Sequence, residues 1–205
     1  MNGTYGSGAR FYDAVSGERM VYRRGRIAGI GLLGLNEGDT VLDVGCGTGL
    51  NFPMLVAAVG ATGTVIGLDR SSAMLTMAQR RIAEGAWSNV TTVNADATDF
   101  SLLDVGVDRV DAVIATYSLS VISEWQAAWK CMKEVLRPGG RAGIVDMQLP
   151  TGRAALFGPL ARLACWMGGS DIHAHPWTAL PTTSRDFCAV TVRGGHIVAA
   201  AATIA

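Results

Sequence analysis

With 205 residues, 49% of them hydrophobic and 17% charged, the chain is read as one domain with a sizeable core. Its 17 Lys+Arg balance 17 Asp+Glu, so no basic field marks it for nucleic acid. The polar opening Met1-Asn-Gly-Thr-Tyr-Gly-Ser-Gly8 is no secretory signal, and no apolar run reaches the roughly 18 residues of a membrane span. The expectation is a cytoplasmic protein without a transmembrane segment. The four cysteines, Cys46, Cys131, Cys165 and Cys188, lie far apart with no Cys-x-x-Cys pair, which predicts buried reduced thiols and no metal site.

In chain order, short apolar or β-branched runs alternate with segments of helical period, the pattern of a parallel sheet covered by helices on both faces. Strands are predicted at Thr40–Val44, Thr64–Leu68, Val90–Asn94, Asp111–Thr116 and Arg141–Asp146. After the first comes a helix carrying Phe52, Leu55, Val56 and Val59, and after the second a helix capped by Ser71, with Met74, Leu75, Ala78 and Ile82 on one face. Ser123 and Gln126 form a capping-box pattern before Trp125, Ala128, Trp129, Met132 and Leu136, read as core. That helix should stop in a turn at Leu136-Arg-Pro-Gly-Gly140, because proline cannot continue it.

Past Asp146 the glycines and prolines multiply and the rhythm changes. This region is read as an insertion or cap. Within it Leu160, Leu163, Ala164 and Met167, flanked by Phe157 and Trp166, share a helical face. A buried lid over an apolar pocket is the favoured reading and a membrane-surface role the other, since Arg153 and Arg162 are few for a basic anchor. The chain closes with Phe187–Val192 and His196–Ala202 around Arg193-Gly-Gly195, a predicted hairpin.

Asp43-Val-Gly-Cys-Gly-Thr-Gly49 stands between a strand and a helix. Glycines there let the backbone turn sharply and approach a ligand, and the helix start offers N–H groups to a carboxylate. A dinucleotide fingerprint would require glycine where Leu50 stands, so the spacing from Gly45 through Gly47 to Gly49 disfavours a pyrophosphate. Asp69 ends the second strand, where a carboxylate accepts from both hydroxyls of a ribose. Asp96, just past the third, suits an adenine amino group, with Ala97 offering its N–H. Tyr117 and Ser118 follow the fourth strand at the carboxyl edge of the sheet and are expected to touch cofactor or acceptor. His173 and His175 are candidate bases, a two-histidine metal site being the weaker reading, and His196 is taken as structural.

Taken in order, Val41-Leu-Asp-Val-Gly-Cys-Gly-Thr-Gly49, Gly67-Leu-Asp69, Asn94-Ala-Asp96 and Leu136-Arg-Pro-Gly-Gly140 resemble the successive motifs of class I S-adenosylmethionine-dependent methyltransferases, over about residues 40–146. The resemblance implies an α/β fold, a Rossmann-like doubly wound seven-stranded mostly parallel sheet with a C-terminal antiparallel hairpin. It implies a single domain over 1–205, divided into an N-terminal helical lid (1–36), a cofactor-binding core (37–147), a substrate cap (148–185) and the hairpin (186–205). S-adenosylmethionine is the implied cofactor, its methionyl part lined by Gly45, Gly47 and Gly49, its ribose by Asp69 and its adenine by Asp96. Asp43, Cys46, Arg70 and Ala97 complete the expected contacts.

Phe11-Tyr-Asp13, Val21-Tyr-Arg-Arg-Gly-Arg26 and Tyr117-Ser-Leu-Ser-Val-Ile-Ser-Glu-Trp125 are similar to the group holding phospholipid and betaine-lipid N-methyltransferases and quinone C-methyltransferases. That implies a lid with Tyr12, Tyr22 and Arg26 at the sulfonium end; Tyr12, Tyr117 and His175 are taken as the catalytic candidates. The Asp/Asn-Pro-Pro-aromatic motif of many nucleic-acid methyltransferases is replaced by Thr116-Tyr-Ser-Leu119, which favours a small-molecule or lipid-like acceptor and leaves room for peripheral membrane contact. N-methylation of an amine headgroup such as a phospholipid is the leading expectation, and C- or O-methylation of a quinone or secondary metabolite the alternative. A nicotinamide-dependent oxidoreductase and a non-catalytic cofactor-binding module are the readings from other classes.

Overall fold

The computed structural model describes residues 22–182 and 186–205. Seven strands, β1 (Thr40–Val44), β2 (Thr64–Asp69), β3 (Val90–Asn94), β4 (Val110–Thr116), β5 (Leu136–Met147), β6 (Cys188–Val192) and β7 (Ile197–Thr203), form one sheet in the order β3-β2-β1-β4-β5-β7-β6. The first five run parallel, and β7 pairs antiparallel with both β5 and β6. This is the expected Rossmann-like arrangement. Strand order reverses between β1 and β4, which opens a crevice at their carboxyl ends.

Alternation along each strand sends side chains to opposite faces, and both faces are covered. Val41, Val65 and Ile114 meet α1 (Arg23–Leu33), α2 (Phe52–Val59) and α3 (Ser72–Gly85) through Leu33, Phe52, Leu55, Leu75 and Ala78. On the other face Leu42, Val44, Ile66 and Val113 pack on Val105 of α4 (Leu102–Val105) and on Ala128, Trp129 and Met132 of α5 (Trp125–Val135). Ser71 caps α3 as expected, its hydroxyl accepting the Met74 N–H at 3.4 Å.

Helix α1 lies close against the sheet because two glycines one turn apart face it. A Cβ on Gly25 would run into the Tyr117 hydroxyl, and one on Gly29 into Val145 Cγ2. Arg141 ties the far end, donating to Leu32 O at 2.9 Å. In β7 the run Ala199–Ala202 is buried between β5 and β6.

Three local expectations are corrected. The Ser123 capping box does not form: Glu124 occupies the N-cap of α5, so Ser123 stands one residue too early to reach the amide at the third helical position. The Arg137-Pro-Gly-Gly140 stretch is no separate turn but an irregularity within β5. Leu136 pairs with Val110, Arg141 with Ala112, and the proline without an N–H leaves the ladder between them. The apolar face of α6 (Gly158–Met167), favoured as buried, points outward: Leu160, Leu163, Trp166 and Met167 are each more than half exposed, while Gly158, Ala161 and Cys165 face the protein. Glycine, alanine and cysteine leave room for close packing, so the helix rests on its small residues. All four cysteines are free, three of them buried and Cys188 partly so.

Candidate functional site

The turn after β1 is fixed before any ligand contacts it. Gly45 and Cys46 donate their N–H groups to Leu68 O at 2.8 and 2.9 Å, and the Gly47 N–H reaches Asp69 Oδ2 at 2.9 Å. Gly45, Gly47 and Gly49 all take positive φ, of 70°, 55° and 77°. A Cβ on Gly45 would strike Ser118, and one on Gly49 would lie 2.6 Å from the Phe52 ring. In front of Gly47 there is nothing within 4 Å. Two glycines are therefore required by packing, and Gly47 by a turn that opens onto space.

Below the turn sits a buried polar hub. Asn51 donates to both carboxylate oxygens of Asp43 at 3.0 Å and to Thr116 Oγ1 at 3.0 Å. Arg26 crosses from α1 to donate to Asn51 Oδ1 at 3.0 Å and Thr116 Oγ1 at 2.7 Å. Burial pushes the Asp43 carboxyl up to about 7, against the opposing pull of the Asn51 hydrogen bonds and the Arg26 charge. The Arg26 guanidinium lies 5.1 Å from the centroid of the Tyr117 ring. Tyr117, with φ of 57°, donates its hydroxyl to Tyr22 O at 2.8 Å and packs edge-on against the Tyr22 ring at 4.8 Å. A non-glycine residue in the left-handed region is held there by its surroundings, and such residues cluster at functional sites.

These groups border a cavity of about 410 Å³ at the reversal in strand order. Ten of the expected residues line it: Arg26, Gly45, Cys46, Gly47, Asp69, Arg70, Asp96, Ala97, Tyr117 and Ser118. Asp69 is already engaged at both oxygens, by the N–H groups of Gly47 and Ser71. Asp96 Oδ1 accepts the Thr98 N–H at 2.9 Å and hydroxyl at 2.7 Å, and these bonds, with Arg70 nearby, hold its carboxyl below the usual range. Ser118 donates to Val44 O at 2.8 Å, lashing the end of β4 to β1.

Asp43, Gly49, Tyr22 and His175 are not among the lining residues. Asp43 lies beneath the turn, Gly49 against Phe52, and Tyr22 behind Tyr117. His175 introduces the 3-10 turn Pro176–Ala179 with its ring 5.0 Å from Trp177, and His173 is exposed. His196 has the structural place expected, Nδ1 2.6 Å from Gln148 O in the hairpin. Tyr12 lies outside the described residues. Sequence reasoning missed Asn51 and Thr116, and the apolar lining from Met74, Val121 and Ile122. A polar residue directly after the glycine turn is the signal for Asn51, but at a helix start it reads first as a cap. Among the described residues no cluster of His, Cys, Asp or Glu is arranged to hold a metal, and no helix is long and apolar enough to cross a membrane.

Residues 41–140 match the family model described as a methyltransferase domain. That segment, just under half of the chain, holds the glycine turn, Asp69 and Asp96. A 2-phytyl-1,4-naphtoquinone methyltransferase of Synechococcus elongatus is 36% identical over 126 residues, 61% of this chain and 50% of that protein. A demethylmenaquinone methyltransferase of Bacillus velezensis is 29% identical over 119 residues, 58% and 50% respectively. The chain thus spans about half the length of the curated relatives it matches. A crystal structure of a SAM dependent methyltransferase from Aquifex aeolicus shares the fold at TM-score 0.69 and 21% identity, covering 99% of this chain and 100% of that one. The cavity has the features that S-adenosylmethionine would need: a glycine-lined approach, a cation beside it and carboxylates at the ends of β2 and β3.

Proposed function

We propose that the protein transfers a methyl group from S-adenosylmethionine to a ring carbon of a reduced 1,4-naphthoquinone, or a related quinone with an apolar tail. What carries this reading is the 36% identity, over 126 residues, to an enzyme named for a phytyl-bearing naphthoquinone. Val121 and Ile122 supply an apolar wall beyond Tyr117 that suits such a ring.

On this reading Gly45, Cys46 and Gly47 cradle the methionyl part, and Arg26 pairs with its carboxylate. Asp69 accepts from the ribose hydroxyls, with Arg70 at the rim, while Asp96 and the Ala97 N–H read the adenine edge. The cofactor supplies a methyl carbon already activated by its sulfonium. The chain's task is alignment and exclusion of water. α1 closes one side, with Tyr22 buttressing Tyr117. Transfer to the ring carbon would leave the C–S electron pair on sulfur, releasing S-adenosylhomocysteine, and would give up the ring proton to solvent as the hydroquinone regains its aromaticity.

The test is incubation with S-adenosylmethionine and either a short-chain 1,4-naphthoquinol or phosphatidylethanolamine vesicles, followed by mass spectrometry. The reading expects a naphthoquinol carrying one added methyl on carbon. Methylation of the amine lipid alone would reinstate the headgroup reading and remove this one.

A further inference from the structure

The outer side of α6 has no part in the cofactor cavity. Over its ten residues Arg162 is the only charged side chain. Gly158, Ala161 and Cys165 face inward, and the last two join Met147 and Ile172 in a small core, with Tyr22 and Tyr117 packed against it. The outward side is apolar too: Leu160, Leu163, Trp166 and Met167 are exposed, and Leu156 and Phe157 extend them through the preceding 3-10 turn. A helix apolar all round belongs within a core or within lipid, and an exposed patch this large marks an interaction surface.

Charge indicates which surface. Between Asp146 and Asp171 there is no acidic residue, and the two charged side chains there, Arg153 and Arg162, are both exposed. This local excess of positive charge occurs in a chain whose charges cancel overall. Trp166 on the exposed face is a side chain suited to the membrane–water boundary. A two-fold pairing of such patches would bring the arginines of two copies together with no carboxylate in the patch to answer them.

We propose that α6 and the turn before it seat the protein on an anionic lipid bilayer, with Leu160, Leu163, Trp166 and Met167 entering the acyl boundary and Arg153 and Arg162 meeting lipid phosphates. Its purpose rests on the quinone reading. The inner side of α6 reaches Tyr117, which lines the cavity, so seating the helix brings the acceptor end to where an apolar-tailed quinone dissolves.

The test is flotation of the full chain with vesicles of phosphatidylcholine alone, or mixed two to one with phosphatidylglycerol. The native protein should float with the anionic vesicles and be released by salt. Leu160→Ser/Leu163→Ser should abolish flotation, and Arg153→Gln and Arg162→Gln should each weaken it about fivefold. Leu103→Ser, which changes an exposed leucine on α4, should float like the native chain. All four variants should bind S-adenosylhomocysteine normally, showing that they are folded. A native chain that ignores anionic vesicles, or flotation that survives Leu160→Ser/Leu163→Ser, overturns the proposal. So does a dimer, seen by light scattering, that these substitutions dissolve while no vesicle is bound. Methylation of a water-soluble short-chain quinol by native and Leu160→Ser/Leu163→Ser proteins is scored separately: its absence counts against the acceptor reading, whatever the vesicles show.

Discussion

Asn51 occupies the N-cap of α2, yet its side chain caps nothing there. It points instead into the hub, where one amide serves Asp43, Thr116 and Arg26. Through it the guanidinium of α1 is held beside the glycine turn. Arg26→Ala should therefore weaken S-adenosylhomocysteine binding by about 1.5–3 kcal/mol, the usual loss for a hydrogen bond to a charged group, with Arg26→Lys recovering part of it in calorimetry. Two buried carboxyls, Asp43 in the hub and Asp146 beside Ser120, also make stability depend on pH. Burial raises Asp43 to about 7 and Asp146 to about 6, so between pH 4 and 7 the folded protein holds protons that the unfolded chain releases. Stability then falls as pH rises through that window and levels off above it. Thermal melts of the native protein should show this decline, and Asp43→Asn/Asp146→Asn should flatten it. A steeper decline in the variant would contradict the assignment. Asp69 and Asp96 were legible because they end or follow strands. Asp43 was legible as part of the turn but not as its foundation, because whether a carboxylate faces a ligand or a neighbouring amide is decided by tertiary packing.

At the scale of the element, the two glycine sets work differently, and a pair of substitutions separates them. Gly29→Ala puts a methyl group into Val145 across the α1–sheet contact and should cost about 1–3 kcal/mol of stability, read from denaturant melts. Gly47→Ala meets no neighbour, so the apo protein loses only the roughly 1–2 kcal/mol of a left-handed alanine. Its cofactor affinity should fall much further, since the new methyl fills the space the ligand approaches. Equal loss of affinity in both variants would deny Gly47 its special place. The strands and the first helices were readable because their apolar periods are strong and both faces are covered. The inward direction of α6 was not: apolar side chains occupy both its sides, and periodicity cannot choose between glycine-alanine packing and a leucine face. Nor could spacing show that Pro138 interrupts a strand rather than preceding it.

For the whole molecule, the alternation of strands and helices carried the parallel sheet, and the glycine pair before the last strand carried the hairpin that completes it. The cavity follows from that order, because β1 and β4 diverge there and bring Gly47, Asp69, Asp96 and Tyr117 to one rim. The acceptor was not legible to the same degree: the apolar side chains that line the cavity beyond the strand ends, such as Val121 and Ile122, carry no motif. Whether this rim is the S-adenosylmethionine site is decided by a crystal structure with S-adenosylhomocysteine. The homocysteine carboxylate should lie beside Arg26 and the Gly47 backbone, the ribose hydroxyls on Asp69 and the adenine against Asp96 and Ala97. Ligand density elsewhere on the fold, or lying in this cavity with neither Arg26 nor Asp69 in contact, would contradict that placement.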